Sequence, residues 1–258
     1  MIALACGDAV AEIVPERGAI VTRLRLADEE VLFLDPSTLA DPAKNVRGGI
    51  PILFPIAGKP VPPLAQHGFA RNLSWEVVAS EAARAELRLT SSPETLALFP
   101  HPFALTLVAT LTERSLRLEF SVHNPDAQPL PLHFGLHPYF RVVDKRAAWI
   151  ETDATVAHDN RSGAEAALQR LDFDVDELDL ALLDHDESAT VLHRGEGPAL
   201  RLRWSEELRT LVLWTLRGRE FICVEPWTAP GLALKSGEGL LRVDPGGTLT
   251  LWLEISVS

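Results

Sequence analysis

Apolar and polar residues alternate along much of this chain, which is the pattern of strands that bury one face. From position 249 to 257 every second residue is Leu, Ile or Val, with Thr, Trp, Glu and Ser between them. The runs 105–111 and 116–122 alternate in the same way on either side of the polar turn from Thr112 to Ser115. These runs predict a carboxyl-terminal strand and a β-hairpin.

Further runs of the same kind extend the prediction to most of the chain. We expect strands at 19–26, 75–80 and 85–90, and a second hairpin from Leu200 to Glu225. Helical periodicity is scarce, and its best candidate lies at 162–171. Repeats and low-complexity linkers are absent. The sequence therefore predicts an all-β fold, a large antiparallel β-sandwich with few short helices, as one domain over residues 1–258.

Composition places the chain among ordinary globular proteins. Hydrophobic residues make up 47% and charged residues 23% of the 258 positions, which is enough to bury a sizeable core. No window has the length of an apolar membrane span, and no leader pattern opens the sequence, so we expect a cytoplasmic protein without a membrane partner. Cys6 and Cys223 have no metal-ligand spacing, and we interpret both as free thiols.

Charge is unevenly distributed. A net charge of −12 argues against a nucleic-acid partner, which requires a basic patch. Residues 42–75 nevertheless contain no Asp or Glu, while they include Lys44, Arg47, Lys59 and Arg71. This stretch predicts a local cationic surface for a small anionic or electron-rich ligand, with an apolar proline-rich loop as the alternative. The acid-rich segment 172–187 lacks calcium-loop spacing, and we interpret it as a solvated loop.

Four segments combine polar residues with glycine, proline and aromatic residues. They are Arg47-Gly-Gly-Ile-Pro-Ile-Leu-Phe-Pro, Gln66-His-Gly-Phe-Ala-Arg71, Leu136-His-Pro-Tyr-Phe-Arg141 and Ile222-Cys-Val-Glu-Pro-Trp227. Glycine lets a backbone approach a ligand closely, and proline stiffens the loops that hold side chains. Singly, each has an ordinary explanation: His137 as a structural histidine, Glu225 as a strand-end carboxylate, the arginines as surface cations. Their joint occurrence favours a site.

In order and wording these four segments resemble the aldose 1-epimerase superfamily, nearest its branch of hexose-6-phosphate mutarotases and LacX-type proteins. The resemblance runs from about Asn45 to Pro226, and the closing run of residues 243–255 also fits. It implies a galactose mutarotase-like β-sandwich whose concave face holds a sugar. It also implies an isomerase that interconverts the α and β anomers of a hexose or hexose 6-phosphate.

The resemblance assigns roles to individual residues. His137 falls on the family's catalytic histidine and Glu225 on its catalytic glutamate. Arg47 and Arg71 match two arginines of the phosphosugar branch. Gln66 and His67 match positions that line the sugar pocket, and Trp227 is more like the LacX-type branch. The aspartate that many relatives use to bind sugar hydroxyls has no clear counterpart.

The chemistry implied is two proton transfers. We expect Glu225 to act as base on the O1 hydroxyl and His137 as acid on the ring oxygen, with the carboxylate keeping the imidazole protonated. Neither a metal nor another cofactor is expected. The expected partner is a small-molecule sugar or sugar phosphate, bound by a monomer or homodimer. Trp227, Phe69, Tyr139 and Phe54 offer apolar faces for the sugar.

Two alternatives remain open at this point. A metal-dependent sugar isomerase would need His133 and His137 on one strand face with Glu225 as third ligand. A carbohydrate-binding or sensing domain would keep the sandwich without turnover. Intact His137 and Glu225 argue against the second alternative, and a rate measurement would decide it.

Overall fold

The structure, a computed structural model, describes residues 1–257. The described chain contains three short helices, α1 (Pro36–Ala40), α2 (Pro93–Leu98) and α3 (Ala233–Ser236). None of its helices is long and apolar enough to cross a bilayer. The strands in chain order are β1 (Ile2–Cys6), β2 (Ala9–Val14), β3 (Ile20–Leu26), β4 (Glu29–Glu30), β5 (Ile52–Leu53), β6 (Glu76–Ser80), β7 (Arg84–Thr90), β8 (Ala104–Leu111), β9 (Ser115–His123), β10 (Leu130–Leu132), β11 (Gly135–Leu136), β12 (Tyr139–Arg141), β13 (Trp149–Glu151), β14 (Val156–Asp159), β15 (Glu165–Ala167), β16 (Glu177–Leu182), β17 (Ala189–His193), β18 (Leu200–Trp204), β19 (Thr210–Leu216), β20 (Phe221–Trp227), β21 (Leu241–Val243) and β22 (Thr248–Val257).

Two large antiparallel sheets form the body of the protein. The first, here called the outer sheet, has the strand order β13-β17-β18-β22-β9-β8-β7-β6. The second, here called the site sheet, has the order β15-β14-β16-β19-β20-β11-β5, and β12 also pairs with β20. A four-stranded sheet (β1 to β4) and a two-stranded ribbon (β10 with β21) complete the fold. The predicted all-β architecture with few short helices is confirmed.

Alternation in the sequence appears directly as alternation in burial. In β8 and β9 each second residue is buried, and the hairpin closes with Leu111 opposite Leu116, as predicted. The buried positions join a core that also receives Phe54, Phe103 and Phe120, all nearly inaccessible to solvent. Each such side chain contributes roughly 1.5–3 kcal/mol by leaving water, so this shared core is the main stabilising term.

The predicted hairpin from Leu200 to Glu225 is wrong in its first half. Strand β18 pairs with β17 and β22 in the outer sheet, whereas β19 and β20 form the hairpin in the site sheet. The chain passes from one sheet to the other through a turn in which the Leu208 amide donates to the Ser205 carbonyl. Alternation has the same period in both sheets and therefore does not reveal this change of sheet.

Two local predictions between 162 and 187 are also wrong. The proposed helix at 162–171 contains strand β15, which pairs with β14 at the sheet edge. The proposed acidic loop at 172–187 contains β16, which pairs with β19 over six residues inside the site sheet. The many acids of this segment do not keep it out of the sheet, because packing in the fold outweighs local composition. Strand β16 buries Leu178 and Leu182, while its acids occupy positions that can face a pocket.

Candidate active site

Strand β20 places functional side chains on one face and core side chains on the other. All seven of its residues are buried, because both faces of the strand are covered. Ile222 and Val224 pack into the main core. Cys223 and Glu225 alternate with them and point to the opposite face, which Trp227 continues. An uninterrupted buried strand thus presents a carboxylate at the floor of a pocket.

All seven residues predicted from the sequence line one pocket of about 390 Å³: Arg47, Gln66, His67, Arg71, His137, Glu225 and Trp227. This volume lies within the range usual for small-molecule sites. Tyr139 also lines the pocket, whereas Phe54 and Phe69 pack around Phe103 in the core. Of the four aromatic residues considered from the sequence, two therefore face the site.

His137 and Glu225 form a buried pair. The His137 Nδ1 atom lies 3.3 Å from Glu225 Oε1, and the two residues are 7% and 1% exposed. The His137 amide donates to the Pro51 carbonyl, while its ring stacks on Tyr139 with centroids 4.7 Å apart. Among the described residues, His137 Nδ1 and Glu225 Oε2 have no hydrogen-bond partner. The pair is held rigidly while part of its hydrogen-bonding capacity stays unused.

Burial disfavours the charged form of both members. It lowers the pKa of His137 well below the usual range, and His67 and Arg71 lower it further. Burial also raises the pKa of Glu225 well above the usual range, and the charge of Asp179 adds to that rise. The free pocket thus favours an uncharged imidazole beside a protonated carboxyl, with one proton in the pair. This differs from the expectation of a permanently protonated histidine, because desolvation outweighs the neighbouring carboxylate.

The loop around His67 is shaped by its contact with the Phe54 carbonyl. That oxygen accepts hydrogen bonds from the amides of Phe69 and Ala70. Gly68 has a φ of 67°, and a Cβ there would meet the same carbonyl group. His67 itself has a φ of 64°, a left-handed conformation that side chains rarely adopt. Such strain persists only where surrounding contacts hold it in place, and it is frequent at functional sites.

The tautomer of His67 follows from its hydrogen bonds. Its Nδ1 accepts from the Gly58 amide at 2.9 Å, so in the neutral ring the proton is on Nε2. Burial, with help from the charge of Arg71, lowers the pKa of His67 to about 3. His67 is therefore a neutral donor. The Gln66 amide nitrogen lies 3.3 Å from Nε2, so a flip of the carboxamide places its oxygen there as the acceptor.

Three of the four cations in the acid-free stretch line the pocket. Arg71 donates to the Gln66 carbonyl at 2.9 Å, and burial lowers its pKa. Lys59 donates to the Asn160 carbonyl at 3.1 Å. Arg47 is fixed through its backbone amide, which donates to the Thr38 hydroxyl oxygen at 2.9 Å, and the described residues offer its guanidinium no hydrogen bond or ion pair. Lys44 instead pairs with Asp41 outside the pocket.

One turn holds both arginine loops against the body of the protein. It is the short 3₁₀ helix Pro15–Arg17 with Gly18. The Arg17 guanidinium donates to the carbonyls of four residues that precede Arg47: Thr38, Asp41, Pro42 and Lys44. The Gly18 amide donates to Leu73 beyond Arg71. The two arginine loops thus share this turn as an anchor, in addition to the contact of the Arg71 loop with the Phe54 carbonyl.

Two acids in the pocket were missed from the sequence. Asp179 and Glu177, both on β16, line the same pocket as the arginine loops. Asp179 accepts from the Asn160 side chain at 2.9 Å, and burial raises its pKa. Glu177 accepts from the Trp214 indole at 3.2 Å. Their spacing of two is the available signal, because alternate residues of a strand share a face.

His133 does not join His137 and Glu225 as a third metal ligand. Strand β10 ends before His133 and β11 begins after it, so no continuous strand carries the two histidines on one face. The His133 ring lies 3.0 Å from the Ala229 carbonyl through Nε2. The arrangement predicted for a metal-dependent isomerase is therefore wrong. Cys6 and Cys223 are both free, as predicted.

Fold and pocket together define the site: an imidazole and a carboxyl on a β-sheet share a pocket with cationic loops and an acidic strand. The sequence matches the aldose 1-epimerase family over residues 2–256. The chain belongs to that family.

Individual relatives cover most of the chain. The Slr1438 protein from Synechocystis sp. PCC 6803 is 35% identical in sequence to this chain, and its crystal structure superposes with a TM-score of 0.93. The match covers 97% of this chain and 92% of that one. A Cenchrus ciliaris protein named "Putative glucose-6-phosphate 1-epimerase" is 29% identical, with 81% of this chain and 72% of that protein covered. The plasmid-encoded LacX protein of Lactococcus lactis subsp. lactis is 26% identical, with coverages of 84% and 85%.

Proposed function

We propose that this protein is a mutarotase that interconverts the α and β anomers of an aldohexose, with His137 and Glu225 as its acid/base pair. The observation that carries the proposal is the buried pair itself, with Nδ1 and Oε1 3.3 Å apart on the floor of a sugar-sized pocket. Membership of the aldose 1-epimerase family supports the reaction class.

Ring opening needs one proton removed and one proton supplied. Glu225, as carboxylate, removes the proton from the O1 hydroxyl, and the electron pair of that O–H bond forms the C1 carbonyl. The bond between C1 and the ring oxygen breaks, and His137, as imidazolium, donates a proton to the departing oxygen. Rotation about the bond between C1 and C2 and the reverse transfers then close the ring on the other face.

The pair needs only one exchangeable proton throughout this cycle. After ring opening, Glu225 holds a proton and His137 is neutral, which is the state that burial favours in the free pocket. Ring closure returns the proton from Glu225 to O1 and takes the proton of the ring-oxygen hydroxyl onto His137. Catalysis in both directions follows because the protein ends each half-reaction ready for its reverse.

For the substrate we propose a hexose 6-phosphate rather than a free hexose. The pocket is lined by Arg47 and Arg71 from the loops and by Glu177 and Asp179 from β16, with Lys59 beside these acids through Asn160. A phosphate can take bidentate hydrogen bonds from a guanidinium, whereas carboxylates suit sugar hydroxyls. The relative named for glucose 6-phosphate supports this choice. In this orientation the phosphate lies on the arginine side, and Gln66, His67 and Trp227 contact the sugar.

The test is anomer exchange measured by NMR or polarimetry on pure anomers of glucose, galactose and their 6-phosphates. Glu225→Gln and His137→Asn should each lower the exchange rate by roughly a hundredfold or more. A matched control pair exists in His158 and Glu165, whose Nδ1 and Oε1 atoms lie 3.4 Å apart outside the pocket. Glu165→Gln and His158→Asn should keep full activity.

Near-normal exchange in either pocket variant would contradict the assigned roles. Sugar binding by calorimetry without any exchange in the unmodified protein would instead support a carbohydrate-binding domain. A preference for free hexoses over their 6-phosphates would overturn the substrate proposal while leaving the reaction class intact.

A further inference from the structure

Three side chains of different chemistry meet beneath the pocket, which His137 and Glu225 line while Cys223 lies fully buried beside them. Cys223 and Glu225 stand two residues apart on the same face of β20, and His137 reaches them from the segment between β11 and β12. One donor atom of each lies within 4.8 Å of the other two, and all three residues are buried. The proposed mutarotation mechanism uses the imidazole and the carboxyl, and the thiol takes no part in it.

Two atoms of this cluster have unused hydrogen-bonding capacity. Among residues 1–257, His137 Nδ1 and Glu225 Oε2 are buried polar atoms without a hydrogen-bond partner. Buried polar atoms are normally satisfied, so orphaned ones at a pocket floor indicate that something else binds there. A sugar hydroxyl satisfies this need during the reaction, and a cation can satisfy it as well.

The distance between the imidazole and the carboxylate fits a tetrahedral metal ion, and the sulfur lies within 4.8 Å of both. Two ligand atoms about 2.0–2.1 Å from a tetrahedral Zn²⁺ lie roughly 3.3–3.4 Å apart. His137 Nδ1 and Glu225 Oε1 are 3.3 Å apart. A thiolate, an imidazole and a carboxylate are all ligands of Zn²⁺, and the sulfur favours this ion over Mg²⁺ or Ca²⁺.

Some charges near the cluster favour a bound cation and others oppose it, and together they favour binding. A thiolate and a carboxylate together neutralise the two positive charges of the ion, and Asp179 adds an acid on the same sheet. Arg47 and Arg71 line the same pocket, with Arg71 close enough to His137 to lower its pKa, and their charges oppose a further cation. They also attract anions, so they favour a Zn²⁺ whose open fourth position holds an anionic or water ligand.

We propose that Cys223, His137 and Glu225 form a Zn²⁺ site whose occupation inhibits the protein. On binding, the Cys223 thiol and any protonated Glu225 carboxyl release their protons to solvent, and three coordinate bonds form to the ion. The ion then occupies the Nδ1 lone pair of the imidazole and lowers the basicity of the carboxylate, so the two groups can no longer complete the proton transfers of ring opening. The inhibitory part rests on the proposed mutarotase function, whereas the binding site itself does not.

The test of binding uses Co²⁺ as a spectroscopic probe of the reduced, metal-stripped protein. Co²⁺ should give a thiolate-to-metal charge-transfer band with intense visible bands typical of four-coordination, and Zn²⁺ should abolish both. Cys223→Ser should lose the charge-transfer band. Cys6→Ser is the matched control, because it removes the other free thiol at a distant strand, and it should keep the full spectrum.

The test of inhibition is anomer exchange with added Zn²⁺. The unmodified protein and Cys6→Ser should be inhibited, and a chelator should restore their rates. In Cys223→Ser the inhibitory concentration should rise by roughly tenfold or more, as expected for the loss of one ligand. His137→Asn provides a second binding variant, whose Co²⁺ spectrum should weaken even if Cys223→Ser proves poorly folded.

Several outcomes would overturn the site. They are a weak spectrum without a sulfur band, a band lost in Cys6→Ser instead, or unchanged spectra in both Cys223→Ser and His137→Asn. A protein with the Co²⁺ band but no anomer exchange would contradict the mutarotase function and leave the metal site standing. Normal anomer exchange that Zn²⁺ does not inhibit, in a protein without a Co²⁺ band, would contradict the metal site and leave the mutarotase function standing.

Discussion

The conformation of the loop that carries His67 and Arg71 should depend on Gly68. This residue has a φ of 67°, and a Cβ would lie 2.6 Å from the carbonyl carbon of Phe54. Real Cβ atoms essentially never approach a neighbour within 3.0 Å. Phe54 is fully buried and belongs to the main core, so its carbonyl cannot yield easily. Gly68→Ala must therefore displace the loop.

The expected cost has two parts. The left-handed conformation costs an alanine roughly 1–2 kcal/mol, and crowding against a packed backbone adds about 1–3 kcal/mol. The total of roughly 2–5 kcal/mol corresponds to a fall in Tm of about 5–15 °C for a chain of this size. A loop shift approaching an ångström moves His67 relative to the pair, which costs roughly tenfold to a hundredfold in kcat/KM.

Gly218→Ala separates the two parts. Gly218 has a φ of 70°, but nothing lies within 4 Å of the position its Cβ would take. That variant should lose only about 1 kcal/mol, because the conformational strain is partly offset in the unfolded chain, and its activity should be unchanged. Thermal unfolding and anomer exchange of both variants provide the measurement. Equal losses of Tm, or full activity in Gly68→Ala, would refute the steric argument.

Four further predictions concern the pocket and its supports. Arg71→Ala should reduce kcat/KM for hexose 6-phosphates at least tenfold more than for free hexoses, with partial rescue by Arg71→Lys; equal losses would place this residue at the reacting end of the sugar. Arg17→Ala should free the loop before Arg47 and raise KM several-fold with little change in kcat, whereas Arg25→Ala, which removes a surface ion pair, should change neither. Asp179→Asn should lower kcat/KM by roughly tenfold or more, and an unchanged value in steady-state assays would exclude a contact with sugar. Metal-stripped protein should keep its full exchange rate, since the chemistry moves only protons; a rate that returned only with added metal would argue for a metal-dependent reaction.

The sequence predicted the strands better than their partners. Alternation located β8, β9 and β22 because each buries one face, and the short turn between β8 and β9 fixed their pairing. It could not show that β18 and β19 lie in different sheets, since two-residue periodicity is the same in either sheet. Pairing between strands distant in sequence depends on the whole fold, which local pattern does not encode.

Pocket residues were predicted from the sequence where they lie among glycines, prolines and aromatic residues. They were missed where they lie in a strand without such neighbours. His137 and Glu225 belong to segments with distinctive wording, so the family resemblance identified them. Asp179 belongs to a segment whose many acids suggested solvent exposure, and only the pairing of β16 with β19 turns its side chain into the pocket. The thiol of Cys223 had no sequence signal beyond its distance of two residues from Glu225.

The pocket divides its tasks between rigid and adjustable parts of the fold. Glu225 lies on a strand that is buried on both faces, and Cys223 on that strand pairs with Tyr139, which supports the ring of His137. The arginines instead lie on loops held by a few hydrogen bonds, from the turn with Arg17 and Gly18 and, for Arg71, to the Gln66 carbonyl. Because a sheet fixes side chains more precisely than a loop does, proton transfer is built on the sheet. Loop substitutions should consequently alter which sugar is bound, whereas substitutions in the strand should alter how fast any sugar reacts.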